Sequence, residues 1–261
     1  AVLASIPEVP QCGVFDNAFH QTMPPQAYLY PLPLEFYTEH KIRRYGFHGT
    51  SHKYVSMKAA EYLGRDINEL KIITCHLGNG ASVTAIDKGR SIDTSMGMTP
   101  LEGLMMGTRC GDLDPGIVIL MQKNLGLDVD EVNRIMNKKS GMLGLSQLSN
   151  DMRVIEDAIL KDKNQTAITA HDVYCYRIKK YIGAYFAAMN GLDVLVFTGG
   201  AGENMPIMRA QVCENMDALG ISLDQEKNAR FTGNIEVLNS AESRVSVLKV
   251  PTNEELMIAL E

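Results

Sequence analysis

Short apolar runs and longer helical stripes alternate along the chain, most of them separated by glycine or proline. "LKIITCH" (70–76) is a β-type run that empties into "LGNGAS". "VTAIDKGRSIDTS" follows as two strand-like runs joined at Asp87-Lys88-Gly89, a hairpin signal. Residues 116–124 and 128–138 carry helical spacing, and Gly141 stands where a C-cap glycine is expected. "NDMRVIEDAILKD" predicts a further helix, begun by Asn150 or Asp151. One long helix is predicted over 166–190, with Ile168, Val173, Tyr176, Ile178, Ile182, Tyr185, Phe186 and Met189 along its apolar side. "DVLVFT" (193–198) is a fully apolar strand running into "GGAGEN" and another helix, and "RVSVLKV" is a last strand. Pro251-Thr252-Asn253-Glu254-Glu255 then opens a helix in which Thr252 and Glu255 have capping-box spacing. Strands alternating with helices indicate an α/β layer fold. The hairpin after the first glycine loop makes the sheet mixed rather than wholly parallel.

Composition narrows the class without naming a function. The 261 residues, 45% hydrophobic and 21% charged, describe an ordinary globular protein with one large domain or two modest ones. A net charge of −6 argues against a generic nucleic-acid partner but leaves room for a local basic pocket. The five cysteines are scattered, odd in number and without CxxC spacing, which suits reduced thiols packed as small hydrophobes in a cytoplasmic protein. No apolar run approaches membrane-spanning length and no signal peptide is visible, so no membrane partner is expected. No fixed-period repeat appears. The opening "AVLASIPEVPQCGVFDNAFH" lacks a Met and is apolar from its first residue, where a natural terminus is usually polar. It reads as a cut through the middle of a larger unit.

Two strand-to-glycine junctions are candidate anion sites. In "CHLGNGAS" (75–82), Gly78 and Gly80 let backbone N–H groups approach an anion, and Asn79 adds a side-chain donor. "FTGGAGEN" (197–204) joins a buried strand to a helix N-terminus, a setting that favours nucleotide or phosphate. Neither matches the Walker A or the GxGxxG pattern, so the ligand stays open on this reading. In "MTPLEGLMMGTRCGDLDPG" (98–116), Arg109 stands among glycines, which suits a carboxylate or phosphoryl group. The bland alternative is a salt bridge from Arg109 to Asp112 or Asp114. "LEGLMMG" itself fits core packing, where Met fills irregular gaps.

"RRYGFHGTSH" (43–52) spends two of the six histidines within five residues. A metal-binding helical pair is disfavoured, because Gly49 lies between them and the carboxylates of HExxH are missing. The preferred reading ends a buried segment at Tyr45-Gly46-Phe47 and makes His48-Gly49 a turn, with Thr50 or Ser51 capping the helix that follows. His48 then has a free ring and His52 lies in the first helical turn. The alternative is that both rings only hydrogen-bond the turn. Asp16 in "GVFDNAFH" could be a base, a metal-side residue or an N-cap, and Glu254 is left free beside a capping Glu255.

Taken together, these stretches resemble the acetate kinase family. The matching strings are "GVFDNAFHQTMP", "RRYGFHGTSHKYVS", "CHLGNGASVTAI", "SIDTSMGMTPLEGLMMGTRCGDLDPG", "NDMR", "TGGAGENMP" and "VPTNEELMIA". They run in the family's order from residue 14 to the last helix. The resemblance implies an α/β fold of the ribonuclease-H-like, actin-like ATPase kind, with two lobes around a nucleotide cleft. It implies reversible phosphoryl transfer between ATP and acetate, giving acetyl phosphate and ADP with Mg²⁺ (or Mn²⁺). Asp16 matches the essential aspartate, while His48 and Arg109 match donors to the phosphoryl group in flight. His52 matches a bracing histidine. His76, Leu77, Gly78, Asn79 and Gly80 match the phosphate loop, and Asp151, Met152 and Arg153 a nucleotide contact. Gly199, Gly200, Ala201, Gly202 and Glu203 match the adenosine loop, and Glu254 the metal-associated glutamate. A homodimer through the nucleotide-binding lobe is implied as well, the long helix 166–190 carrying apolar residues in excess of one face. The family's chain begins a lobe earlier, with a magnesium-side asparagine and a second arginine that have no match here. Residues 1–18 and 252–261 are therefore expected to be remnants of that lobe, and 19–251 the nucleotide lobe. A propionate or butyrate kinase of the same family, or a non-catalytic ATP-binding module, are the alternatives.

Overall fold

The chain builds one six-stranded mixed sheet with helices on both faces in a computed structural model that describes residues 5 and 8–261. The expected remnant at 1–18 therefore lies partly outside the described residues. Strands β1 (Lys71–Leu77), β2 (Ala81–Asp87) and β3 (Arg90–Thr94) form an antiparallel meander. Lys88 and Gly89, at φ 52° and 73°, make the tight turn between β2 and β3 that the hairpin signal requires. Strand β4 (Val194–Thr198) returns parallel to β1, β6 (Ser246–Lys249) lies parallel to β4, and β5 (Glu236–Val237) closes the edge. The order β3-β2-β1-β4-β6-β5 is mixed, as the first hairpin foretold.

The helices used below are α1 (Gly49–Leu63), α2 (Gly116–Leu125), α3 (Val129–Arg134), α4 (Gly141–Ser146), α5 (Met152–Leu160), α6 (Gln165–Met189), α7 (Gly199–Asn204), α8 (Pro206–Cys213) and α9 (Glu254–Leu260). The predicted helix 128–138 is α-helical only to Arg134, after which Ile135–Lys139 widens into a π turn. Gly141 has φ +64° just past the C-cap Ser140, as a helix-ending glycine should, and also starts α4. Asp151, not Asn150, caps α5.

Alternation along β1 sorts its side chains onto two faces. Ile73, Cys75 and Leu77 join the larger core with Ala170, Tyr174, Ile178 and Ile182 of α6. Together with Ala167, Tyr185 and Met189, these α6 residues recur at three and four as the buried stripe of that long helix, each large side chain contributing roughly 1.5–3 kcal/mol by leaving water. Tyr176, expected on the apolar side, instead points to the exposed face. On the other face Ile72, Ile86, Val194, Val196 and Leu248 pack against Val55 and Ala59 of α1. The same alternation puts Thr74 and His76 in line with Ile72, opposite Thr84 and Ser82 of β2. The α1 side of the sheet thus turns from apolar to polar toward the end of β1, and the polar end is where the candidate site lies.

The run 104–106 is buried as core packing predicts, and three of the five free cysteines are buried with it. Among the described residues no helix is long and apolar enough to cross a membrane.

Candidate active site

The turn before α1 is held in an uncommon conformation. His48 has φ +56°, left-handed backbone that costs a non-glycine residue on the order of 1 kcal/mol and needs local support. Asp16 gives it: Oδ2 accepts from His48 N–H at 2.7 Å, and its carbonyl accepts from Gly49 N–H at 2.7 Å. The cap of α1 therefore comes from a carboxylate thirty-two residues upstream, whereas Thr50 and Ser51 lie inside the helix and do not cap it. His20 props the same turn from below, donating from Nε2 to Phe47 O at 2.9 Å and accepting from Ser91 at Nδ1.

The His48 ring is not free. Nδ1 meets Ser82 Oγ at 2.8 Å, and the ring stacks on His76 with centroids 4.3 Å apart. His52 is wholly buried between Ser82 Oγ and Thr74 Oγ1, each at 2.7 Å, as a brace should be. His76 Nδ1 contacts Ser51 Oγ at 2.8 Å, and Ser51 reaches Thr252 at 2.8 Å. Burial pushes His48 down to about 4, helped by the positive charge of Arg109, and His20 to about 4 by burial. Burial also takes His76 to about 3 and His52 well below its ordinary value. All four rings are neutral near pH 7.

Arg109 approaches from the other side of Gly80. A β-carbon on Gly80 would stand 3.4 Å from both Arg109 Nη1 and His48 Nε2, which brings the two donors to the same point of the loop. Arg109 Nη1 donates to Pro100 O at 3.2 Å and meets Met106 Sδ at 3.6 Å. It makes no salt bridge among the described residues, which removes the proposed staple. Asp112 instead accepts from Gly103 N–H and Tyr181, and Asp114 from Gly116 N–H. A half-buried guanidinium without a carboxylate is a ready anion receptor.

From Gly80 the groove continues into a cleft of about 480 Å³ lined by Gly78, Asn79, Asp151, Met152, Arg153, Gly200 and Ala201, among others. Three separate stretches of sequence meet there. Asn150, Glu156, Asn204 and Met205 line it too and carried no signal of their own in the sequence. Asn79 Oδ1 is taken by Asn150 Nδ2 at 3.0 Å, which leaves its amide N–H groups as donors. Asp151 is held down to about 2 by Arg153, whose guanidinium bonds it at the exposed lip. Leu77 is fully buried in the sheet core rather than lining the cleft. Glu203 acts as a clamp, accepting from Gly199 N–H at 3.0 Å and Thr252 N–H at 3.2 Å. Arg209, completely buried, holds the far end of α7 through the carbonyls of Gly202 and Glu203.

Glu254 opens α9, whose cap is Asn253, accepting from Leu256 N–H at 2.9 Å. The Thr252–Glu255 capping box is thus not formed, and Thr252 is spent on Ser51 and Glu203 instead. Glu254 is raised above the usual carboxylate range by burial and by the nearby charge of Asp16. Two carboxylates that repel each other at the edge of an anion groove suit a hard divalent cation, which takes one or two carboxylates plus phosphate and water oxygens. Among the described residues no group of three metal-ligating side chains exists.

Comparison with known proteins agrees with this geometry. A family model described as the acetokinase family matches residues 1–260. The chain is 61% identical over 259 residues to an acetate kinase of Pseudothermotoga lettingae, covering 99% of this chain and 64% of that protein. It is 56% identical to the acetate kinase of Clostridioides difficile, covering 99% and 65%. Among solved structures, Porphyromonas gingivalis acetate kinase superposes with a TM-score of 0.95 at 52% identity, covering 99% of this chain and 65% of that one. A propionate kinase of Francisella tularensis superposes at 0.91 and 44% identity, covering 98% and 65%. The chain therefore spans just under two thirds of the length of the proteins it matches. With residues 1–260 matched by the family model, the chain belongs to the acetokinase family.

Proposed function

We propose that this chain carries the nucleotide site and the phosphoryl-transfer donors of an acetate kinase, moving a phosphoryl group reversibly between ATP and acetate. The observation that carries the reading is the convergence of His48 Nε2 and Arg109 Nη1 on Gly80, at the mouth of the cleft lined by Asn79. Phosphoryl transfer needs in-line positioning and stabilisation of equatorial charge more than covalent chemistry. In this reading the cleft between residues 78–79, 151–153 and 200–201 takes the nucleotide, and Asn79 orients a phosphate. His48 and Arg109 then donate to the transferred group from opposite sides. Asp16 and Glu254 would hold Mg²⁺ (or Mn²⁺), which supplies positive charge to phosphate oxygens when bound. Residues 19–251 form the nucleotide lobe, with 1–18 and 252–261 belonging to the lobe that completes the site.

Acetate is favoured over propionate because the relatives at 56–61% identity are acetate kinases, whereas the propionate kinase stands at 44%. Calorimetric titration with MgADP and MgATP, followed by hydroxylamine trapping of acyl phosphate, tests the reading. The 261-residue chain is expected to bind nucleotide, and acetyl phosphate is expected to form in the full family length. A chain that binds no nucleotide would overturn it. Trapping of propionyl phosphate at higher kcat/KM than acetyl phosphate would move the assignment to the propionate enzyme.

Homodimerisation belongs to the same proposal, although not through α6, whose apolar stripe is spent on its own core. Helix α2, "GIVILMQKNL", buries none of its residues and exposes Ile119 at 54%, Leu120 at 50% and Leu125 at 63%. A second copy on a two-fold axis would cover this face. Sedimentation at micromolar concentration should give a dimer mass, and Leu120→Glu should shift it toward monomer. A monomer without the substitution would remove α2 as the interface. A cytoplasmic setting belongs to the same proposal, and the five cysteines, none in a disulfide, are compatible with it.

A further inference from the structure

His48 and the three groups behind it form a single file. Thr74 Oγ1 meets His52 Nδ1, His52 Nε2 meets Ser82 Oγ, and Ser82 Oγ meets His48 Nδ1, at 2.7, 2.7 and 2.8 Å. Thr74, His52 and Ser82 have no accessible surface at all. Each neutral imidazole carries one N–H and each hydroxyl one O–H, so four protons must be distributed over three contacts. A buried donor left unpaired costs about 1–3 kcal/mol, so the distribution is not free.

Suppose His48 kept its proton on Nδ1 and gave it to Ser82. Ser82 would then donate to His52 Nε2, and His52 Nδ1–H to Thr74. The Thr74 proton would have no acceptor, because Thr74 Oγ1 has no other hydrogen-bond partner among the described residues. If Ser82 instead accepted from both rings, its own proton would be stranded. One arrangement pairs every buried donor. Thr74 donates to His52 Nδ1, His52 Nε2–H donates to Ser82, and Ser82 donates to His48 Nδ1. The one proton left over is then on His48 Nε2, the atom beside Gly80 that faces Arg109 across the groove.

We propose that Thr74, His52 and Ser82 are positioning residues that fix the His48 tautomer, placing its proton on Nε2 as a donor into the groove. The opposite tautomer would aim a bare lone pair at the incoming phosphoryl oxygens. The relay is thus a specificity device for charge: it makes His48 a hydrogen-bond donor while leaving it neutral. It rests on the phosphoryl-transfer reading for its purpose, but the proton position itself does not depend on turnover.

The test is nitrogen-15 NMR on histidine-labelled protein near pH 7, with His48→Gln used to assign the His48 signals. Nε2 of His48 is expected to be protonated and Nδ1 bare. Thr74→Val removes the hydroxyl that ends the file, so each distribution then leaves one unpaired group and the two tautomers should mix. Thr74→Ser should restore the single form. In the acyl phosphate assay, Ser82→Ala and Thr74→Val should lower kcat about 10- to 100-fold, the size usual for groups that orient a functional histidine. Nucleotide affinity should hold, and Thr74→Ser should recover the rate. A proton found on Nδ1, or a tautomer unchanged by Ser82→Ala and Thr74→Val alike, would overturn the proposal. A protonated Nε2 in a full-length protein that makes no acyl phosphate would uphold the relay and count against the phosphoryl-transfer reading instead.

Discussion

In the full family length, Arg109→Ala should cut turnover about 10³-fold or more while leaving nucleotide affinity nearly unchanged, by analogy with arginine fingers. The expectation follows from where the guanidinium stands. Its Nη1 sits beside Gly80, at the end of the groove away from Asp151–Arg153 and Gly200–Ala201, so nucleotide binding does not require it. Its protein contacts are a carbonyl and a thioether, which hold it in place without neutralising it. Such a group is strongest where negative charge develops, and an interaction made only in the transition state shows in kcat rather than KM. Arg109→Lys should rescue little, since an ammonium keeps the charge but loses the planar fork. Steady-state kinetics beside calorimetric titration of MgADP would decide. A variant with full turnover would reduce Arg109 to a loop residue.

The sequence made the strands and long helices legible because their burial is periodic or continuous. β1 and β4 are apolar runs bounded by glycine, and the stripe of α6 recurs at three and four. The chain's caps were harder to read. A capping residue was sought next to α1, but Asp16 arrives from thirty-two positions away, and no local pattern encodes that contact. At α9 two candidate caps stood side by side, and Thr252 was drawn off by Ser51 and Glu203 while Asn253 took the role. Both failures have one cause: a polar side chain at a helix start goes to the most demanding unpaired group nearby, and tertiary structure decides which that is.

The candidate site was legible where glycine loops and the lone arginine broke the pattern, and illegible behind them. Ser82 and Thr74 look like ordinary strand residues. Their signal was present in the alternation of β1 and β2, where a buried face carries Thr74, Ser82 and Thr84, with half-buried His76 at its end, instead of aliphatics. Polar residues at the inward positions of a central strand must be paired, and here Thr74 and Ser82 pair with histidines while Thr84 pairs with Thr94. His20 was equally hidden, since nothing in "DNAFHQT" says that its ring will hold the Phe47 carbonyl.

His48→Ala should lower kcat about 10²- to 10³-fold, the cost of removing one charge-stabilising donor, or roughly 2.7–4 kcal/mol of barrier. His52→Ala should act chiefly on stability, with kcat within about tenfold. The two rings are four residues apart and joined through one hydroxyl, yet their surroundings differ in kind. His48 Nε2 has no protein partner among the described residues and borders the groove, whereas both nitrogens of His52 are used inside the protein. Removing His48 takes a donor from the substrate side and leaves Ser82 still bonded to His52. Removing His52 opens a cavity in a fully buried site and strands the Thr74 hydroxyl, an unpaired group costing about 1–3 kcal/mol. Ser82 can still donate to His48 in that variant, so the chemistry is touched less than the fold. Urea midpoints read against kcat for the two variants separate the roles. A stable but inactive His52→Ala protein, paired with an active but destabilised His48→Ala, would show that the two histidines have been assigned the wrong way round.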